Sequence, residues 1–376
     1  MKKRACKQCL FNSDNYPSIQ LNDEGLCDIC EVNMQQIDLL KNFKEPGYLE
    51  MIISQIKKNK KGKYDCLIGI SGGSDSSFLV YLTKKWGLNP LLLHVDSGWN
   101  SEISVTNIKR IIAKSGYDFV SEVLPWEELR EVQRSFILAN VLDIDLPFDN
   151  LMTSYIYSTA QKYNIKYILN GDNMETEGIM PSHYTHYKLD KSNILDIHKK
   201  WGSVKLDKLK FLGTFDYFWF DRIKKIEFLT PLNWIEYNKE KAKKIIQNEF
   251  DWKDYGGKHY ENIFTRFYQG YILPRKFKID KRVSHLSILI CSRQLSKNQA
   301  HEILKNQSAY PSTQLEREDQ LFFLKKLNFS ERDFNIYIDA APVSHRSYKS
   351  DLDLYDFFKP FYKFLKHIFK FKFFKF

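Results

Sequence analysis

Residues 66–82 constrain the fold more than any other part of this 376-residue chain. Cys66-Leu67-Ile68-Gly69-Ile70 is a short apolar run, Ser71-Gly72-Gly73 is a glycine turn, and Phe78-Leu79-Val80-Tyr81-Leu82 continues with helical character. A run of that length ending in glycines reads as a buried strand, and Gly72 and Gly73 admit backbone angles closed to other residues. A strand that turns tightly into a helix points the backbone N–H groups of the first helical turn at an anion, and the helix dipole adds partial positive charge there. The segment is therefore built as a phosphate cradle. It lacks the Gly-Lys-Ser/Thr ending of a Walker loop.

Further strands line up behind this one. Leu91-Leu92-Leu93-His94-Val95 ends in Asp96-Ser97-Gly98-Trp99-Asn100, with an amphipathic helix expected near 101–114. Tyr167-Ile168-Leu169 ends in Asn170-Gly171-Asp172-Asn173-Met174-Glu175-Thr176-Glu177-Gly178. Strands alternating with helices, each with polar residues at its carboxyl end, indicate an α/β fold with a doubly wound parallel sheet, whose ligands bind beyond those ends. Beyond about residue 233 the pattern turns helical, and Ser296-Lys297-Asn298-Gln299 and Ser330-Glu331-Arg332-Asp333 carry helix-start signals. The expected organisation is a metal module over 1–40, the α/β domain over 60–232, a helical region over 233–350 and a tail over 351–376, with the lysine-rich segment 57–63 as the first connector.

Four of the six cysteines form Cys6-x-x-Cys9 and Cys27-x-x-Cys30, separated by 17 residues. Two such knuckles supply four thiolates to one tetrahedral zinc ion, and a segment this small buries too little surface to fold without it. Four protein ligands leave no open position, so the expected zinc is structural, with an iron–sulfur cluster or a redox pair as the alternative. Cys66 and Cys291 sit in apolar runs, where the expected role is packing. The first residues, Met1-Lys2-Lys3-Arg4, lead into no apolar run, and no segment reaches the roughly 20 apolar residues of a spanning helix. A cytoplasmic location without structural disulfides is the expectation.

The net charge is +11, yet six of those charges are lysines in 357–376, where there are no acids. The rest of the chain is only mildly basic, so nucleic acid is not an expected partner. In the tail, Phe361, Phe364, Leu365, Ile368 and Phe369 form a helical stripe, with Lys359, Lys363, Lys366 and Lys370 elsewhere on the helix. A basic amphipathic helix is expected there, fit for an anionic membrane surface or for packing on protein.

The pattern Ser-Gly-Gly-x-Asp-Ser over 71–76 resembles the PP-loop of the ATP pyrophosphatases. That resemblance implies ATP cleaved between its α and β phosphates, with Ser71, Gly72, Gly73, Ser74, Asp75, Ser76 and Ser77 at the nucleotide, joined by His94, Asp96 and Gly171. Charge on the departing pyrophosphate calls for magnesium, with Asp75 the first candidate ligand and Glu175 or Glu177 the second. Lys258 and Arg266 are candidate catalytic bases reaching back to the phosphates. Many PP-loop proteins have lysine where this chain has Ser74, so one phosphate ligand is absent.

The combination of features over roughly 4–305 resembles the N-acetyl sugar amidotransferase family, the WbpG-like proteins of bacterial surface-polysaccharide and flagellin-sugar pathways. It rests on the paired CxxC module, the PP-loop, His94–Asn100, Asn170-Gly171-Asp172-Asn173, Phe264-Thr265-Arg266-Phe267-Tyr268-Gln269 and Asp280-Lys281-Arg282-Val283-Ser284-His285-Leu286-Ser287. The resemblance implies conversion of an acetamido group to an acetamidino group on an N-acetylated sugar, free or nucleotide-linked. His183, Tyr184, His186, Asp190 and Lys191, in a polar stretch after the third strand, are candidate sugar contacts. Cys6 is committed to metal and no cysteine has a nucleophile-elbow context, so ammonia is expected from a separate glutaminase subunit. The alternative reading is a PP-loop tRNA-modifying enzyme, a lysidine-type ligase or a thiolase. Sulfur transfer is disfavoured because only Cys291 remains after the loop.

Overall fold

The computed structural model describes residues 4–357. The expected amphipathic helix of the tail lies outside the described residues. Five parallel strands form one sheet: β1 (Cys66–Gly69), β2 (Pro90–Asp96), β3 (Phe119–Val123), β4 (Tyr167–Leu169) and β5 (Glu227–Leu229), in the order β3-β2-β1-β4-β5. The chain winds outward from β1 through β2 to β3, then returns to place β4 on the other side of β1. That reversal between β1 and β4 is the switch point at which loops diverge and leave a crevice.

Successive strand residues point to opposite faces, and both faces are covered. Leu67, Leu91, Leu93 and Ile168 join one core, whereas Cys66, Ile68, Leu92 and Leu169 join the other. This is why β1, β2 and β4 read as continuous apolar runs. β3 is half-exposed, with Ser121 and Glu122 in its middle, and β5 has three residues. Neither has a signal in the sequence.

The helices start and stop on expected chemistry. The Ser101 side chain accepts from Ser104 N at the start of Glu102–Ser115, which ends on Gly116 at φ 71°. Ser296 and Gln299 form a reciprocal capping box before Lys297–Asn306, and Ser330 caps Glu331–Asp339.

The boundaries differ from those expected. Helix Lys239–Phe250 buries Ala242, Ile246 and Phe250 in the core that holds Leu79 and Ile108, so the α/β layer continues past 232 to Trp252. The amino-terminal module and the carboxyl-terminal helices share the opposite core, in which Phe11 and Ile19 lie with Phe136, Phe264, Phe323 and Phe334. Ser287 Oγ accepts from Leu10 N at 3.2 Å, and Lys297 Nζ donates to Cys6 O at 2.7 Å. Among the described residues no helix is long and apolar enough to cross a membrane.

Candidate active site and metal centre

The turn after β1 is held from behind. Gly72 has φ +78°, and a Cβ there would lie 2.5 Å from Ser104 O, so both the angle and the space require glycine. Its carbonyl accepts from Trp252 Nε1 at 2.8 Å. Ser77 Oγ donates to Gly73 O at 2.6 Å. Gly72 and Ser77 therefore shape the loop and do not line the cavity, which corrects their expected place at the nucleotide. Ser71, Gly73, Ser74, Asp75 and Ser76 do line it. No side chain caps the helix that opens at Ser74, and the buried Ser74 Oγ has no partner. Gly73 N donates to Ser71 Oγ at 3.2 Å and Ser74 N to Tyr255 OH at 3.3 Å, and the unpartnered Ser74 Oγ beside them completes a helix start suited to an anion.

The loop after β4 meets this turn backbone to backbone. A Cβ on Gly171 would stand 2.9 Å from both Asp75 C and Ser76 N. The contact brings Asp172 and Glu177 beside Asp75 in a cavity of about 1020 Å³. Burial, then the nearby Glu177 and Asp75 carboxylates, push Asp172 up to about 7. Asp75 is also raised by burial, against the pull of Lys239 3.8 Å away, and accepts a hydrogen bond from Tyr237. Burial would raise Glu177 as well, but Lys258, His259 and Lys239 hold it below the usual range. Lys258 lies 3.1 Å from Glu177 Oε1. Crowded carboxylates beside a phosphate cradle have the donor set a hard divalent cation takes, and Asp75, Asp172 and Glu177 could hold one. Glu261 faces the same space with one oxygen, Oε2, unpartnered.

Several candidates lie elsewhere. Glu175 is outside the lining and pairs with Lys44 at 2.5 Å, so of the two glutamates only Glu177 faces the loop. Arg266 forms a two-pronged pair with Asp319, both contacts 2.6 Å, and does not reach the cavity. Asp96 is outside the lining and accepts from Gly98 N and Asn100 Nδ2, holding the turn that presents Asn100 to the cavity. His94 lines the cavity; its Nδ1 donates to Ile70 O, leaving Nε2 to accept from Asn100. Tyr184 is buried with its hydroxyl on Asn15 O, and Asp190 is fully buried, accepting from His186 Nε2, Asn193 N and Asp351 N. Both are structural, which corrects their expected sugar contacts. Lys191 pairs with Asp216 outside the lining, whereas His183 and His186 do line the cavity.

Reading the sequence missed Asp172 as a ligand candidate, together with Lys239, Tyr255 and Glu261. Asp172 follows Gly171 at a strand end and carried a usable signal. The others arrive from separate segments with no local motif. Also missed was the far end of the cavity, where Asp143, Asp145, Asp149, Lys188 and Lys281 gather beside Phe148, Met152 and Tyr187. Lys188 bridges Asp143 and Asp149 at 2.7 and 2.8 Å. Asp145 is pushed up to about 8, by burial first and then by Asp149. The cavity thus joins an anion cradle to a chamber with apolar walls and an acid–base cluster.

The four amino-terminal cysteines converge, with sulfurs all within 4.8 Å of one another. Cys6–Cys30 and Cys9–Cys27 separations are 3.9 and 3.6 Å. A tetrahedral ion with metal–sulfur bonds of about 2.3 Å sets sulfurs about 3.8 Å apart, so the site fits one metal. Backbone N–H groups of Phe11, Cys27 and Cys30 point at sulfurs, as thiolate charge demands. Cys291 lies 3.6 Å from Cys30 and so stands against this centre, a place its apolar run did not indicate.

Residues 261–369 match the family model for the LPS biosynthesis protein WbpG-like, C-terminal domain. That match covers the carboxyl-terminal third of the chain and marks a similarity of those residues. Among curated relatives, tRNA(Ile)-lysidine synthase of Chlamydia pneumoniae is 33% identical over 93 residues, 24% of this chain and 27% of the relative. An uncharacterized protein of Methanocaldococcus jannaschii is 29% identical over 103 residues, 27% and 36% of the two chains. This chain thus spans about a quarter to a third of the length of these relatives. Similar solved structures include NH3-dependent NAD synthetase from Campylobacter jejuni, with 12% identity, TM-score 0.30 and coverage of 57% and 83%. U34-tRNA thiolase NcsA from Methanococcus maripaludis, solved with its [4Fe-4S] cluster, has 12% identity, TM-score 0.30 and coverage of 82% and 90%. The strand order β3-β2-β1-β4-β5, with every pair parallel, is that of a doubly wound α/β sheet.

Proposed function

We propose that this protein is an ATP-dependent, AMP-forming amidotransferase that converts the acetamido group of an N-acetylated sugar, free or nucleotide-linked, to an acetamidino group in surface-polysaccharide or flagellin-sugar synthesis. The observation that carries the reading is a single cavity with a phosphate cradle at one end and the Asp143–Lys188 chamber at the other, in a chain whose residues 261–369 match the WbpG-like family model. ATP takes the loop of Ser71, Gly73, Ser74, Asp75 and Ser76. Asp75, Asp172 and Glu177 hold magnesium, which neutralises charge on the phosphates. Lys239 and Lys258, within reach of the same carboxylates, orient the β and γ phosphates.

An amide carbon is a poor electrophile. Attack of the amide oxygen on the α phosphorus, with pyrophosphate leaving, makes an O-adenylated imidate. Ammonia adds to its carbon and AMP departs with the oxygen, leaving the amidine. The chamber's apolar walls exclude water, which would return the amide. Asp145, raised to about 8, keeps its proton near neutral pH and is placed to donate a hydrogen bond to the acetamido group in this chamber. Ammonia comes from a separate glutaminase subunit. The four-cysteine centre holds structural zinc. Residues 358–376 contact the inner membrane surface, keeping a cytoplasmic protein peripheral to it.

The test is purified protein with ATP, magnesium, 15N-ammonium and a panel of N-acetylated sugars, followed by mass spectrometry. Sugar-dependent AMP with label in the sugar is expected. The lysidine synthase similarity favours tRNA(Ile) plus lysine as the second arm; AMP formed only there would replace the sugar reading.

A further inference from the structure

The segment Thr214–Phe218 continues through Trp219–Ile223 as one helical stretch with two unlike faces. Its inner side is anchored: Tyr157 packs on Tyr217 and Phe220 with ring centroids 5.8 and 5.3 Å apart. Its outer side carries Phe215, Phe218, Trp219 and Ile223, each 48–70% exposed. Their spacing places them on one stripe. Four large apolar side chains left in water on one short stripe mark an interaction surface.

The charge around the stripe selects what meets it. Lys224 and Lys225 directly follow it in the chain and Lys210 precedes it, all three exposed, and Lys224 Nζ sits 5.4 Å from the Trp219 ring centre. The nearby acids are already engaged: Asp216 accepts from Gly213 N and pairs with Lys191, and Asp221 pairs with Arg222. The described residues end near the same place. Tyr355 stacks on Tyr187 at 4.6 Å, and Tyr187 OH lies 3.2 Å from Thr214 Oγ1, at the start of the stripe. Beyond Phe357 the sequence has eight phenylalanines, six lysines and no acid. Folding that tail onto the stripe, or pairing two copies through it, would set lysine against lysine. An anionic lipid surface removes the conflict, taking aromatic rings at the depth of the headgroups and lysines at the phosphates.

We propose that the outer face of residues 214–223, with Lys210, Lys224 and Lys225, is a folded docking face for an anionic bilayer. It is additional to any contact made by the tail and independent of the reaction assigned above. Tyr187 and Tyr355 also line the cavity, so docking here brings the cavity's outer rim to the membrane.

The experiment is co-sedimentation of the full chain with vesicles of phosphatidylcholine alone or with phosphatidylglycerol. The variants are F218S/W219S, K224E/K225E and, as an exposed apolar control on another helix, I336S; Ile336 is 59% exposed. Wild type and I336S are expected to bind only the anionic vesicles, and each face variant to lose at least about tenfold in partition, with unchanged far-ultraviolet circular dichroism. Equal partition of wild type and both face variants overturns the proposal, leaving the tail as the whole attachment. A face variant that changes the oligomeric state while vesicle binding stays as in wild type assigns the stripe to a protein partner and also overturns it.

Discussion

Gly171→Ala tests the close backbone contact at the switch point. The added Cβ would lie 2.9 Å from Asp75 C, 2.9 Å from Ser76 N and 3.2 Å from Asp75 O. All three are backbone atoms in the first turn after the cradle and have no rotamer to change. Restoring ordinary contact means separating the two loops by roughly 0.5–1 Å, which costs about 1–3 kcal/mol as overpacking. The same shift moves Asp172 and Glu177 away from Asp75 and the cradle N–H groups. A displacement near 1 Å at reacting groups lowers turnover by about 10²-fold. Gly69→Ala is the matched control: it also lines the cavity, but its Cβ would meet only the Ile156 side-chain tip at 3.4 Å. AMP release and calorimetric titration with a non-hydrolysable ATP analogue read the effect, beside thermal unfolding. If G171A keeps turnover and analogue affinity within about twofold of G69A, the reasoning fails.

Arg266→Ala leaves Asp319 buried and uncompensated, so a loss of about 3–5 kcal/mol is expected in denaturant unfolding, with turnover per folded molecule nearly intact; loss of turnover at unchanged stability would restore Arg266 to the phosphates. Asp145 holds a proton in the folded protein up to about pH 8, whereas the unfolded chain releases it near 3.8. Its contribution therefore stabilises below about pH 4 and is lost as pH rises toward 8, at up to about 1.4 kcal/mol per unit. D145N is expected to remove that slope, and parallel wild-type and D145N stability profiles over pH 4–8 would contradict it. Elemental analysis should find one zinc per chain in wild type and in Cys291→Ser. Cys27→Ser should lose the metal and unfold at lower temperature; zinc lost from C291S would make Cys291 a ligand.

What was legible in the sequence is what local physics dictates. β1, β2 and β4 are covered on both faces, so their residues are apolar throughout. The glycine turn and paired cysteines are dictated by backbone angle and metal valence, both local. β3 escaped because one side of it meets water. Arg266 and Glu175 were misplaced for a different reason. A charge on a helix says nothing of its partner, and Asp319 and Lys44 lie 53 and 131 residues away. Tyr184 and Asp190 sat in a polar stretch that looked open to ligand, yet the fold uses their hydroxyl and carboxylate to satisfy buried backbone and histidine groups. Lys239, Tyr255 and Glu261 converge on the cradle only after the sheet has formed.

The clasp between the two ends of the chain bears on how the protein is made. Leu10 bonds to Ser287, 277 residues later; Cys6 meets Lys297, 291 residues later; and Cys30 touches Cys291, 261 residues later. At synthesis rates of about 5–20 residues per second, the first knuckle waits on the order of 15–60 s for the helix that covers it. During that interval Leu10 lacks its Ser287 partner and the helix that covers it, and a metal on the four cysteines would hold the segment together. Metal supply during translation should therefore govern the yield of folded protein more strongly than metal added after synthesis. Pulse-labelled translation with zinc given before or after chain completion measures that difference directly.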